Sequence, residues 1–515
     1  MARSGFLALL FAALVAFVPG VAAADTLRVG LSTRAGPFDF AIAPAADQTL
    51  AVRAAYETLV RSAPGGGYRN GLAARWTTSR DGLVWTFQLQ PGRRFASGRA
   101  VDAKAVIFTL DRLRAIGRGN ASMLNDLIAS AQPAGTNAVR LRLTHPSPAL
   151  LALLSDRMTS IIDPSIANRI RGDRWGSQWL ATRTAGSGRF QLQPGSQRGI
   201  HILTQQPYWQ PLKGDPRPSA GGFDRLIYRE IVDPTVRRLA LEKGEIDIAF
   251  LLPSQEQKRL QRSRRGVLHR APILAFNNLA FNLQSKAMQD VRLRRAIGHA
   301  IDVEGIIRYI RGGTALGFAG PVPPSMPGHA TGRRFAYNLA MARRLAAQSH
   351  KTGRPLRFIY PGVSPETDTI AQYIQATLKP LGLDVRIERL SVPAYLDRMS
   401  RGSYDMVLQG AVIDFNDPSA IMNAWFEPTR AGISNPARYS NPKVTALIRQ
   451  SEREMNPARR RQLIEQAARL THADVPYVYL SQTVMTIAAR PNIKGITIDP
   501  FDALNLPVGQ MQRGK

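Results

Sequence analysis

The chain has 515 residues, with 68 Lys and Arg against 37 Asp and Glu, a formal net charge of +31, and no cysteine. That length allows about two to four domains of ordinary size, each with its own core. A hydrophobic content of 44% and a charged content of 20% exclude a disordered or collagen-like chain, and the absence of cysteine excludes disulfide scaffolds, thiol nucleophiles, iron–sulfur clusters and thiolate zinc sites.

Arg3, the apolar run Phe6–Val18, Pro19-Gly20 and Ala22-Ala23-Ala24 follow one another as the regions of a secretory signal, so residues 1–24 are expected to be removed after Ala24. The run is shorter than the roughly 20 residues that span a bilayer, and no later run reaches that length. No twin arginine precedes it, which favours the Sec route, and no cysteine at the cleavage site could carry a lipid. The expected mature protein starts at Asp25, is exported to the periplasm and does not span the membrane.

The mature chain alternates strand and helix patterns. Thr26–Ser32 alternates as a strand and leads into the loop Arg34–Pro44; Leu50–Val60 has the spacing of a helix. Leu83–Leu89 predicts a strand, Ala103–Leu113 a helix capped by Asp102, and Arg140–Leu143 a strand. A glycine-rich joint, Ala185–Gly188, precedes the strand Arg189–Gln193. Strands Phe223–Ile231 and Ile246–Leu252 flank the helix Pro234–Lys243. Leu274–Leu283 predicts a strand, Asp290–Ile301 a helix, and Gly312–Gly332 a long loop. Helix Asn338–Ser349, strand Leu356–Tyr360, helix Glu366–Leu381, strand Asp384–Arg389 and helix Pro393–Arg401 then succeed one another, the order of a doubly wound sheet. Helix Pro457–His472 and strand Tyr477–Leu480 close that region. The fold class is α/β, and no repeat of fixed period points to a solenoid.

The positive surplus is spread along the chain and does not form a tail. It is dense only at Lys258–Arg265 and Arg459–Arg461, both in helix-like polar stretches, for which a solvated face is the simpler account. Together with export, this argues against a nucleic-acid partner. The seven histidines form no i,i+4 pair and no H-E-x-x-H motif. There is no G-x-S-x-G elbow, phosphate loop or dinucleotide fingerprint. No catalytic residue, metal ligand or cofactor is indicated, and binding is the expected function.

One segment stands apart. Ser403–Leu408 is a strand with Asp405 at its head, leading through Gln409–Ile413 to Asp414-Phe415-Asn416-Asp417-Pro418. A carboxylate at the carboxyl end of a buried strand faces the ligand side of a doubly wound sheet and calls for a cationic partner. Equally, Asp414 or Asp417 could close an Asx turn or cap a helix ahead of Pro418.

The run Gly71–Leu110 (GLAARWTTSRDGLVWTFQLQPGRRFASGRAVDAKAVIFTL) resembles the signature of the family 5 extracellular solute-binding proteins of ABC transporters, the dipeptide, oligopeptide and nickel binders. The resemblance continues in order through Gly186–Phe190, Pro207–Trp209, Phe223–Tyr228, Leu241–Ile248, Leu279–Leu283, Asp290–Asp302, Ala336–Leu345 and Tyr404–Pro418, nearly the whole mature chain.

This resemblance implies a two-lobed periplasmic binding protein of class C type, with doubly wound lobes and an additional α+β domain. Lobe I would comprise 25–44, 185–270 and 485–515, the additional domain 45–184 with Trp76, Trp85, Phe87 and Phe95 in its core, and lobe II 271–484. The partners implied are a small peptide or peptide-like solute and an inner-membrane ABC permease, with the binding protein a monomer. By similarity, Asp414 would pair with the ligand's ammonium group, and Gly410, Ala411 and Val412 would pair with its backbone as an added strand. Phe415 and Asn416 would lie beside it, with Phe38 and Asp39 on the opposite lobe. The chain carries Phe415 where the family often has Tyr, Ala411 where oligopeptide binders tend to have an aromatic residue, and Pro37-Phe38-Asp39-Phe40 without the family's Pro. A nickel complex, a sugar or an opine-like anion are the alternative ligand classes. A binding protein for signalling or envelope chaperoning and, remotely, a secreted hydrolase are the alternative functions.

Overall fold

The computed structural model describes residues 25–33, 36, 38–42, 46–63, 67–117, 121–194, 199–215, 222–324, 326, 328–329, 335–350, 353–413, 415–500 and 505–514. The expected signal segment 1–24 and Asp414 lie outside the described residues.

Eleven strands form one continuous sheet that runs through two lobes. Ten of them lie in the order Val385–Leu390, Leu356–Pro361, Met406–Val412, Val267–Phe281, Tyr477–Ala489, Ile248–Phe250, Thr26–Leu31, Arg225–Glu230, Ile200–Gln205 and Phe190–Leu192, and the short strand Ala315–Leu316 pairs beside Tyr477–Ala489. The first three are parallel to one another, as are Thr26–Leu31, Arg225–Glu230 and Ile248–Phe250. These parallel runs are rich in Val, Ile and Leu because both of their faces are covered. In the second lobe one face packs on helices Val291–Ala300, Leu339–Ala347 and Pro365–Leu378, and the other on Val392–Arg401, Ser419–Phe426 and Pro442–Ser451.

A separate antiparallel sheet, in the order Ala73–Thr78, Val84–Leu89, Ala138–Leu143 and Ile128–Pro133, packs on helix Ala103–Ile116. Trp85, Phe87 and Phe95 are buried in this core, and Trp76 packs on it from the side. The helix starts where the Asp102 carboxylate accepts the Ala105 N–H at 2.9 Å and ends at Gly117, whose φ of 63° suits a residue without Cβ.

Two expectations are corrected. Leu50–Val60 is not an α-helix: a 3-10 helix covers Ala46–Ala55, and a strand starts at Val60. The carbonyls of Ala55, Thr58 and Leu59 accept N–H groups of Gly188, Leu72 and Ala73, so tertiary pairing takes the bonds that a helix would need. The strand at Tyr477 does not stop at Leu480 but runs to Ala489. Ser481, Gln482 and Thr483 break the apolar pattern, while the backbone continues because Val484–Ala489 pair with Val267–Pro272.

The glycine-rich joint packs backbone against backbone. A Cβ on Gly186 would lie 1.9 Å from the Ala55 carbonyl oxygen. Gly186→Ala is therefore expected to destabilise the fold by about 3 kcal/mol, read as a lower urea midpoint. A different site tests the contact between the additional unit and the second lobe. Glu452 shares a cavity with Asp126 and His145 and accepts an Asn423 amide hydrogen at 3.0 Å. Burial raises its pKa above the usual carboxylate value, with Glu427 and Asp417 adding to the effect. Folding therefore favours its protonated form, so its stabilising contribution is present at acid pH and lost as pH rises through the folded pKa. Glu452→Gln is expected to raise Tm at pH 7, with the gain over the natural chain shrinking toward pH 4.

Candidate functional site

The lobes are joined within the sheet by Val267–Phe281 and Tyr477–Ala489. These strands pair from Val267 to Pro272 and again from Phe276 to Ala280, with register shifts between. In the gap, Gln482 and Thr483 pair with Leu316 and Ala315, Gln482 donates to the Ile273 carbonyl at 3.0 Å, and Leu274 N–H reaches Pro500. An interruption of this kind bends and twists the strands that carry it.

Beside the hinge lies the strand Met406–Val412. Ile413 N–H donates to Leu274 O at 2.8 Å, and the register sets Ala411 opposite Phe276 and Gln409 opposite Asn278. In an antiparallel ladder alternate residues turn toward the partner, so Gly410 and Val412 direct their N–H and C=O groups away from it. On that far side the parallel strand Leu356–Pro361 pairs only with Met406 and Val407. The Tyr395 hydroxyl donates to Leu408 O at 3.2 Å, and beyond it no strand among those described pairs with the edge. Gly410 is exposed, Ala411 half-buried, and Val412 is 64% exposed.

The surroundings of this edge are polar. Gln409 Oε1 and the amide of Asn278 opposite it are buried without a hydrogen-bond partner among the described residues. Buried polar atoms of this kind are normally satisfied, so the edge is suited to a polar occupant.

Phe415, Asn416 and Asp417 follow Asp414 and carry structural contacts. Phe415 packs into the core of the additional unit, and Asn416 O accepts the Tyr68 hydroxyl at 3.1 Å. Asp417 caps Ser419 N–H at 2.9 Å and takes both Nη atoms of Arg460 at 2.6 and 2.7 Å. The turn-and-cap role thus falls to Asp417. Although burial raises its pKa, Arg460 and the Ser419 contacts hold it below the usual carboxylate range.

Phe38 and Asp39 have a different role from the one expected. Phe38 is core of the first lobe, edge-on to His201 with ring centroids 5.3 Å apart. Asp39 is 1% exposed, and its carboxylate is held by both Nη atoms of Arg112 while accepting Ala41 N–H at 3.0 Å. Both side chains are sealed inside the first lobe, and a buried carboxylate so paired is costly to leave without its partner.

Tyr68 and its neighbour Arg69 were not singled out by the sequence, since isolated residues in a short strand carry no pattern. Arg69 lines a cavity of about 230 Å³ with Arg53, Arg61, Glu57, Asp215 and Asp499. Asp215 takes Arg61 at 2.7 and 2.9 Å and Arg69 at 3.4 Å, so two guanidinium groups share one carboxylate. Burial and the repulsion of Arg61 lower the Arg69 pKa. Among the described residues, no group of three or more His, Asp or Glu could hold a metal ion, and no helix is long and apolar enough to cross a membrane.

The profile of the bacterial extracellular solute-binding proteins, family 5, matches residues 67–432. A probable D,D-dipeptide-binding periplasmic protein of Escherichia coli (strain K12) is 31% identical over 435 residues, covering 84% of this chain and 82% of that protein. Di/tripeptide-binding protein 2 of Pseudomonas aeruginosa (strain UCBPP-PA14) is 26% identical over 475 residues, covering 87% of each. The solved structure of an ABC transporter-associated periplasmic binding protein of Helicobacter pylori, in complex with the peptide STSA, superposes with a TM-score of 0.79 at 25% identity, covering 95% of this chain and 98% of that one. These likenesses carry the two-lobed architecture of periplasmic binding proteins over to this chain. With the profile matched over most of its length, the chain belongs to the bacterial extracellular solute-binding proteins of family 5.

Proposed function

We propose that the chain is the periplasmic receptor of an ABC importer and captures short peptides or peptide-like solutes between its lobes. The observation that carries this reading is the open strand edge at Gly410–Val412, whose outward N–H and C=O groups can accept an extended ligand backbone as an added strand. Asp414, two residues beyond Val412, pairs with the ligand's ammonium group, and Asn416 lies next to it. Arg69, which shares Asp215 with Arg61, is the cation available to a ligand carboxylate. The dipeptide-binding relatives and the peptide-bound structure support the same ligand class.

In this reading lobe I is 25–44, 185–270 and 485–515, the additional domain 45–184, and lobe II 271–484. The chain is exported by a Sec signal cut after Ala24, acts as a monomer, delivers its ligand to an inner-membrane permease, and performs no chemistry on it.

Titration calorimetry and thermal shift with a dipeptide panel test the proposal, since a ligand bound only by the folded protein raises Tm in proportion to RT ln(1+[L]/Kd). Asp414→Ala is expected to cost about 2–5 kcal/mol of binding and to leave the unliganded Tm unchanged. Val412→Pro removes one outward N–H and is expected to weaken binding about twofold to tenfold, whereas Val412→Ala leaves it intact. Asp39→Asn should show the reverse pattern, with stability lower by about 3–5 kcal/mol and the affinity retained. Dipeptide affinity unchanged in both Asp414→Ala and Val412→Pro would overturn this site.

A further inference from the structure

At the pole of the second lobe opposite the open edge, the carboxyl end of Val267–Phe281 meets the amino ends of Leu356–Pro361 and Met406–Val412. An open cavity of about 580 Å³ there is lined by Lys286, Arg354, Arg357 and Arg401, with His350 at the rim. Under them lies one carboxylate, Asp405, which is fully buried. It accepts Arg354 at 2.7 and 2.8 Å, Ser285 Oγ at 2.5 Å and Arg357 N–H at 2.7 Å. With four hydrogen bonds its lone pairs are filled, and its single negative charge, set against Arg354 and Arg357, leaves the cavity's cations in excess.

Those cations are left in surplus. The Arg357 guanidinium, 42% exposed, comes no nearer to Asp405 than 3.7 Å, and its Nε–H is buried without a hydrogen-bond partner. Arg401 is 70% exposed, and its one ion pair among the described residues is with its helix neighbour Asp397, a surface pair of little energetic weight. Lys286 is exposed and forms no ion pair among the described residues. Fork-shaped guanidinium donors converging with an ammonium on an open, polar cavity match a tetrahedral dianion, which offers three terminal oxygens to separate donors.

We propose that this pocket binds a phosphate group, at a site separate from the interlobe cleft. It is too far from the open edge to take part in capture: the seven residues of Met406–Val412 separate the two by roughly 20 Å at about 3.3 Å per residue. The phosphate can come from a lipid headgroup or from a soluble phosphate, and the chemistry recognised is the same.

The test is calorimetric titration of the whole mature chain with inorganic pyrophosphate at low and at 0.15 M salt. Lys286→Ala/Arg401→Ala removes two exposed cations from the pocket. Arg262→Ala/Arg265→Ala removes two from an exposed helix end elsewhere and is matched in charge. The pocket variant is expected to bind pyrophosphate about tenfold more weakly, the matched variant within twofold of the natural chain, and both to bind the cleft ligand unchanged. Equal weakening in the two variants would assign the effect to diffuse charge and overturn the site, as would no pyrophosphate binding by the natural chain. Vesicles of phosphatidic acid in phosphatidylcholine separate the sources. Release of bound protein by pyrophosphate identifies a headgroup, and pyrophosphate binding without vesicle retention identifies a soluble phosphate.

Discussion

Two strands carry the mechanical constraint on which the rest of this molecule depends. Val267–Phe281 and Tyr477–Ala489 pass from one lobe to the other inside a single sheet, so the lobes cannot slide past each other without breaking register. Slippage by one residue would turn every inward side chain outward. The freedom that remains is bending, and it is concentrated between Pro272 and Phe276, where the ladder is interrupted and Ala315–Leu316 takes over the pairing. The open edge at Gly410–Val412 lies one strand from that interruption. Bending there moves the edge relative to the first lobe while leaving both cores intact.

Arginine is the second organising element. Five buried or part-buried carboxylates each take one or more guanidinium groups: Asp39 with Arg112, Glu57 with Arg93, Asp247 with Arg28 and Arg513, Asp405 with Arg354, and Asp417 with Arg460. Removing either member of such a pair leaves an uncompensated charge in the interior, which makes these pairs costly to break whatever their net contribution. Two further buried arginines hold carbonyls at strained backbone. Arg237 donates to Leu251 O at 3.1 Å and Arg294 to Val475 O at 3.0 Å, and both acceptors are non-glycine residues with positive φ, 52° and 49°. The planar five-donor fork of arginine suits both tasks, and lysine could do neither as well. With acidic residues so few, the cations left over remain at the surface, and the net charge of +31 follows.

How much of this was legible in the sequence depended on whether the deciding interaction was local. Asp102 ahead of Ala103–Ile116, Asp233 ahead of Pro234–Lys243 and Asn338 ahead of Leu339–Ala347 act through hydrogen bonds three residues away, and each helix start was readable. The second half of Tyr477–Ala489 was not, because Ser481, Gln482 and Thr483 are extended only by virtue of partners more than 150 residues away. The same holds for Leu50–Val60, whose carbonyls are claimed by Gly188, Leu72 and Ala73. At the candidate site, the residues alone indicated a strand at Ser403–Leu408, whereas the strand is Met406–Val412, and its exposed end Gly410–Val412 was legible only through the family resemblance. That Phe38 and Asp39 are sealed inside the first lobe was not, since burial of Asp39 depends on Arg112, 73 positions on. Tyr68 and Arg69 gave no signal at all.

The strand Met406–Val412 shows why an edge of this kind can bind tightly. Its first turn of chain is locked: Asp405 is saturated by Arg354, Ser285 and Arg357, and Met406 and Val407 pair on both sides. The Tyr395 hydroxyl then occupies the Leu408 carbonyl. Beyond that point one side stays paired to Val267–Phe281 as far as Ile413, while the other is unclaimed. The outward groups of Gly410 and Val412 are therefore already extended and correctly spaced before a ligand arrives, and only the ligand has to lose conformational freedom. Since ordering the partners is a main cost of association, an edge held in this way gains affinity from rigidity on its own side and leaves side-chain choice to the surrounding pocket. Under the proposed function, peptides of differing sequence share this one backbone contact.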